Sequence, residues 1–496
     1  MAFRLFSLLL LVLSAGVSWA KDMAPEEVYA RCHARLSGFP VDIDSKAYSD
    51  VKAGKLDPVT ACQQMLTRAN FVKTDDQFLL KNEKDSIAVG IVRNLHAFHL
   101  SWFPNLAASH NVSVELGFTY RDFTEPALYI TDALFTRRHY RTVFTRGDSL
   151  TGVRKSAASN GYFMYSNRNY ADLKTFSGPL TTDFKDTSDA NIQLINFPRV
   201  KNGNLVGVEP VRNMVLKLPS FVGRASITEA QWRTSLEDVQ SFNLKSNFGG
   251  GILGSPAYYH INKEFTGLAD GGTKVYRRMA NSAFYDLMCL SLPNLKESDL
   301  GSYLNTYKSS GLAFRTDKSC AACHATLDPF AHAARNIQTV RTSTNGFRTN
   351  LRDRISGAFE MEVALKYKVR TNEQSVADVD NIYHRRRADG RLFYRNYDGK
   401  LVNKAVNGVA QLGTAISQQD DIYMCAAQRY YQFLTGIEVA VSSPSSSEFY
   451  KTHRDEIVKI GKSFKTHGSL QKLIVDILNT DAFQTRNPGL EVTVSE

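Results

Sequence analysis

From Pro25 to Trp102 the apolar residues recur at helical spacing, and the punctuation between them agrees. Pro25-Glu26-Glu27 opens one helix with a proline and two acids in its first turn, where they suit the helix dipole. Asp57-Pro58 opens a second, which carries Cys62, Met65 and Leu66. A third starts at Asp85-Ser86 and runs through Ile87, Val89, Ile91, Val92 and Leu95. It sets His96 and His99 three apart on one face, a spacing that suits either a metal or haem ligand pair or hydrogen-bonded packing beside Trp102 and Phe103. Residues 111–120 alternate instead, with Val112, Val114, Leu116, Phe118 and Tyr120 on one face, which predicts a half-buried strand. Residues 127–144 return to a helical pattern. A polar stretch over 155–215 predicts loops, and residues 228–244 predict a helix. The run Gly249-Gly250-Gly251-Ile252-Leu253-Gly254-Ser255-Pro256 lacks the Gly-Lys-Ser/Thr ending of a phosphate loop, so it predicts a close-packed turn before Tyr258-Tyr259-His260. Val275 to Leu292 predicts an apolar helix containing Cys289.

The second half mixes the two periods. Phe359, Met361, Val363, Leu365, Tyr367 and Val369 alternate with mostly charged neighbours, which predicts a strand. Tyr397-Asp398-Gly399-Lys400 predicts a tight turn, and Arg385-Arg386-Arg387 lies in a polar loop. Beyond Asn407 the pattern is helical. Ile422, Cys425, Ala426, Arg429, Phe433 and Leu434 make a helix that Gly436 should close. A short linker, Ser442 to Ser447, precedes helices near Glu448 to Phe464 and Ser469 to Leu478, the last with Ser469 as its N-cap. The fold class expected is mainly α with minor β, a helical multidomain protein containing a cytochrome c-like haem module. Its divisions are a signal peptide (1–20), an N-terminal helical domain (21–150), a mixed region (151–305), a haem domain (306–440) and a C-terminal helical segment (441–496).

The N-terminus reads as an export signal. Arg4 supplies the positive region, Leu5 to Val17 the apolar stretch, and Ser18-Trp19-Ala20 a cleavage site after Ala20. Residue 21 is Lys, which argues against a lipid-anchored N-terminus. No later run approaches membrane-spanning length, so no transmembrane segment is expected after cleavage. The formal net charge of +11 is a mild basic bias, suited to an acidic redox partner or simply to a solvated surface; no motif points to nucleic acid.

Against that background one pentapeptide carries the chemistry. Cys320-Ala321-Ala322-Cys323-His324 has the form of a c-type haem attachment site. Two thiols one helical turn apart can form thioethers with the two vinyl groups of one porphyrin, and the next imidazole can become the proximal iron ligand. A thioredoxin-like dithiol or half of a zinc site would use the same cysteines, but no second Cys-x-x-Cys accompanies them and neither reading requires His324. Export is also what the haem reading demands, because this attachment is made outside the cytoplasm. One covalent haem c in a periplasmic protein is therefore expected. The remaining cysteines, Cys32, Cys62, Cys289 and Cys425, allow two disulfides in three connectivities, of which Cys32 with Cys62 is the simplest by proximity. Asp328-Pro329 follows the motif closely, so its helix should be short or broken at Pro329.

The segment Cys323-His324-Ala325-Thr326-Leu327-Asp328-Pro329 resembles a bacterial family of uncharacterised domains found with planctomycete-type cytochromes, in which the haem motif is followed by Asp-Pro. Residues 251–258, the segment Cys425 to Gly436, and Leu478-Asn479-Thr480-Asp481-Ala482-Phe483 are similar to other segments of that family. Members continue after Asp-Pro with a glycine, where this chain has Phe330-Ala331-His332. The resemblance covers the second half well and the first half loosely. It implies haem c binding through Cys320, Cys323 and His324 in the envelope, and no substrate.

The sixth iron ligand separates the functional readings. Met raises the potential and His lowers it. The candidates are Met424 on the closing helix, ranked first, then Met361, His332, His384, and His96 or His99. His332, eight residues after His324, would struggle to reach the opposite haem face. A six-coordinate iron predicts electron transfer. An open position predicts a peroxidase- or oxygenase-like oxidoreductase, and the bulk of the chain also admits an envelope-binding scaffold with a structural or sensing haem.

Overall fold

The computed structural model describes residues 22–106, 122–155, 193–195, 203–211, 213–217, 241–262, 274–343, 354–360, 386–443 and 447–486. The expected signal peptide, the 111–120 alternation, residues 361–370 of the second alternation, Met361, His384 and Arg385 lie outside them. The described chain is mainly helical, with small antiparallel sheets.

The first helices start where their capping residues stand. They are α1 (Pro25–Ser37), α2 (Lys46–Lys52), α3 (Pro58–Arg68) and α4 (Ser86–Leu100). Asp57 accepts the Thr60 N–H at 2.7 Å, and Asp85 accepts those of Ile87 and Ala88 at 3.1 Å, so each occupies orphan donors of its first turn. The unbroken helical reading of this stretch needs one correction. A hairpin, β1 (Phe71–Thr74) and β2 (Gln77–Leu80), sits between α3 and α4. Its strands are four residues long, and β2 pairs with the distant β5 (Asn204–Val211). Such a partner leaves no local periodicity to read. The sheet runs β1-β2-β5-β3, with β3 spanning Ser149–Lys155.

Helix α5 (Glu125–Phe135) is buried on all sides and forms the middle of the core. A short α6 (Thr142–Thr145) follows. The polar stretch expected as loop holds β4 (Gln193–Ile195), β5 and β6 (Met214–Lys217), and the end of the expected 228–244 helix is instead β7 (Ser241–Leu244), paired with β6. Cross-strand partners, which lie elsewhere in the chain, outweigh local propensity there.

The glycine run makes the tight turn expected of it. Gly249, Gly250 and Gly251 take φ of 82°, 82° and 58°, and a 3₁₀ turn spans Gly251–Gly254. A Cβ on Gly251 would drive into the Val143 carbonyl of α6, so both conformation and space require glycine. Gly251→Ala should therefore destabilise the protein by about 2–3 kcal/mol, read as a lower urea midpoint. An unmoved midpoint would show that this turn yields cheaply.

Next come α7 (Pro256–Ile261), α8 (Lys274–Met288), α9 (Gly301–Tyr307), α10 (Ala313–Thr316) and α11 (Lys318–His332). Two hairpins follow, β8 (Ile337–Ser343) with β9 (Arg354–Glu360), and β10 (Asp389–Arg395) with β11 (Leu401–Asn407). The turn of the second is the expected one, with Gly399 at φ 72°. The chain ends in α12 (Gly408–Ser417), α13 (Asp420–Thr435), α14 (Glu448–His467), α15 (Leu470–Leu478) and α16 (Asp481–Gln484). Gly436 closes α13 at φ 82°, and Ser469 caps α15 through the Lys472 N–H.

One hydrophobic cluster collects side chains from Val28 of α1 to Phe483 of α16, so the segments 21–150, 151–305, 306–440 and 441–496 all contribute to a shared core. Two disulfides tie it. Cys32–Cys62 joins α1 to α3, and Cys289–Cys425 joins the end of α8 to α13. Just before the second bridge, Asp286 is 1% exposed and accepts the Tyr258 hydroxyl at 3.2 Å. Burial pushes its carboxyl up to about 7, against the pull of Arg429. The folded state thus holds a proton that the unfolded chain releases near pH 4, and stability falls as pH rises from about 4 to 7, by at most roughly 4 kcal/mol. Asp286→Asn should flatten the fall in urea midpoint across that window; an unchanged slope would assign it to other groups. Among the described residues no helix is long and apolar enough to cross a membrane.

Candidate functional site

The Cys-x-x-Cys-His motif occupies the first two turns of α11. Asp317 caps the helix by accepting the Ser319 N–H at 2.8 Å. The helix does not break at Pro329 but continues to His332, which corrects the expected short helix. A proline removes only one backbone donor, and here it falls in the last turn, where Phe330 and Ala331 are buried and hold the helix in place.

The helix has two faces. Ala321 and Ala325 are fully buried in a small cluster with Leu300 and with Tyr303 of α9. Cys320, Cys323 and His324 are half-buried on the other side. The three-residue spacing brings both thiols onto that side one turn apart, and neither forms a disulfide. Burial raises the Cys323 thiol, and the neighbouring Cys320 adds to the shift, so Cys323 stays protonated at neutral pH.

Behind His324 stands a residue that composition and motif left unassigned. Asp328, one turn further on, accepts from His324 Nδ1 at 3.1 Å. The same carboxylate accepts the Arg277 Nε–H of α8 at 2.5 Å and the Tyr303 hydroxyl at 3.0 Å. Burial by itself would raise the Asp328 carboxyl, but the hydrogen bonds from His324 and Arg277, with the Arg277 charge, hold it down at about 2. Being ionised, it can only accept, so Nδ1 of His324 is the donor in this hydrogen bond, and in the neutral imidazole that places the lone pair on Nε2. Tyr303 is raised in turn, by burial first and then by the Asp328 charge. The Phe314 ring of α10 lies 4.9 Å from the His324 ring, with the Arg277 guanidinium 5.0 Å from the Phe314 centroid. Arg315 lies 4.8 Å from the Tyr307 ring and 5.3 Å from that of Phe314.

The other candidates fall in different places. His96 and His99 are buried in the core, both against Thr131 Oγ1 at 3.0 and 2.8 Å, and His99 Nε2 meets the Tyr430 hydroxyl at 2.6 Å. Burial holds His96 down at about 3 and His99 well below its usual range, so both stay neutral. His332 ends α11, and burial, reinforced by the Arg335 charge, lowers it to about 4. Met424 is 2% exposed on α13, with its sulfur packed against Gly461 of α14. Arg386 and Arg387 are exposed.

Asp328 could have been found from the sequence, because His at i and Asp at i+4 face each other on any helix. Arg277, Tyr303 and Phe314 carry no such signal, since other helices bring them in. The arrangement offers two thiols for covalent attachment and one oriented imidazole for a metal. Among the described residues no three His, Cys, Asp or Glu side chains converge as metal ligands. Comparison with protein-family models, with curated proteins and with solved structures found no match for this chain.

Proposed function

We propose that this protein is an exported monohaem c-type cytochrome that transfers electrons in the periplasm. Cys320 and Cys323 would hold the haem covalently, and His324 would bind its iron through Nε2. The observation that carries the reading is the hydrogen bond from His324 Nδ1 to Asp328. A ligating histidine generally gives its other ring proton to a carboxylate or carbonyl, which fixes tautomer and orientation together. A dithiol redox site or a disulfide pair has no use for that bond. The haem would supply one-electron chemistry; the protein's own part is to hold the ring, orient the imidazole and keep Asp328 charged.

Two disulfides fit an oxidising compartment, in keeping with the export signal read in residues 1–20. The likeness to the uncharacterised domains found with planctomycete-type cytochromes points the same way. The basic balance of the chain suits an acidic redox partner protein.

The test is expression of the full precursor in a host that matures c-type cytochromes, followed by a pyridine haemochrome spectrum of the denatured protein. One covalent haem per chain, with the band of a doubly thioether-linked haem, is expected. A folded, exported protein without covalent haem would sink the proposal.

A further inference from the structure

The carboxylate behind His324 is held by the fold. Asp328 is 2% exposed, and its donors come from three different helices: His324 from α11 itself, Arg277 from α8 and Tyr303 from α9. Helix α11 has no freedom to turn Asp328 away, because Ala325, Thr326, Phe330 and Ala331 beside it are buried. His324 therefore meets an anion, where a backbone carbonyl would be a neutral acceptor. The difference is electronic. An anionic acceptor draws on the Nδ1 proton and makes Nε2 a stronger donor. A more electron-rich axial ligand favours the oxidised metal, and hydrogen bonding to the ligand is one of the levers by which a protein sets a haem potential.

Resting on the haem reading above, we infer that Asp328 is a positioning residue that lowers the reduction potential of the haem held by Cys320, Cys323 and His324. Tyr303 and Arg277 moderate the effect by sharing the charge of the same carboxylate. The competing role is purely architectural: an ion pair joining α8 to α11, whose loss would cost stability and leave the potential where it was.

The two roles separate in the full chain, matured with haem and titrated potentiometrically. Asp328→Asn keeps the shape and removes the charge. Its potential should rise, by about tenfold in the reduction equilibrium constant, or about 59 mV for one electron. Tyr303→Phe removes one donor, leaves more of the charge on the His324 side and should lower the potential. Opposite shifts from two neighbouring changes are not a signature of loosened packing. Variants carrying one covalent haem per chain with unmoved potentials, or a lower potential for Asp328→Asn, would overturn the inference. Should Asp328→Asn fail to fold, Tyr303→Phe decides alone, since it deletes a single hydroxyl. An unmodified chain without covalent haem would overturn the haem reading and this inference with it, whereas haem-loaded variants at the unmodified potential would overturn this inference only.

Discussion

Replacing Cys320 and Cys323 together by serine is expected to abolish covalent haem altogether while leaving the protein folded. Thioether formation needs sulfur, and serine offers an oxygen of similar size that makes no such bond. The fold should tolerate the exchange because the two side chains lie on the half-buried side of α11, away from the packed Ala321 and Ala325. Neither cysteine bridges another, so no cross-link is lost. Changes at such positions typically alter stability by about 0.5 kcal/mol or less in the haem-free protein. The readout is the mass and the haem absorbance of the denatured chain beside its far-ultraviolet circular dichroism. Retained covalent haem in the double variant would refute the attachment site outright. Loss of haem together with loss of helicity would show that the thiols serve the fold instead.

The site was half legible in the sequence, and the division has a physical cause. Cys320, Cys323 and His324 are neighbours on one helix, so their chemistry is written as spacing. Asp328 is also local, one turn from His324, but a carboxylate four residues after a histidine is common and gains meaning only when buried. Tyr303 and Arg277 become part of the site through the packing of α8 and α9 on α11, which no window of sequence contains. The fold divides in the same way. Helices with a cap and an apolar face were readable at the capped end: α3, α4 and α15 at their starts, and α13 at its stop. The short strands β1, β2 and β7 were not, because each depends on a partner strand for its hydrogen bonds. Pro329 misled for a related reason: its local cost is real, but buried neighbours on both sides carry the helix past it.

Packing and cross-linking meet again at Cys289–Cys425, whose removal is expected to have the largest effect on stability. The bridge closes a loop with a sequence separation of 136 residues and pins the end of α8 to the middle of α13. In the chain-entropy picture a loop of that length removes about 5 kcal/mol from the unfolded ensemble, against about 3.7 kcal/mol for the 30-residue separation of Cys32–Cys62. Cys425 is 1% exposed, so serine there also places a hydroxyl in the core. Cys289 sits at φ 53°, a backbone conformation disfavoured for a side-chain-bearing residue. The same connection bears on the site, because α8 also delivers Arg277 to Asp328. Cys289→Ser with Cys425→Ser should therefore lower the stability by about 4–5 kcal/mol and exceed the cost of Cys32→Ser with Cys62→Ser. Urea unfolding of the two double variants, followed by circular dichroism under non-reducing conditions, gives the comparison. Equal midpoints, or a larger loss from the shorter loop, would mean that local packing around each bridge sets its worth and that loop length does not.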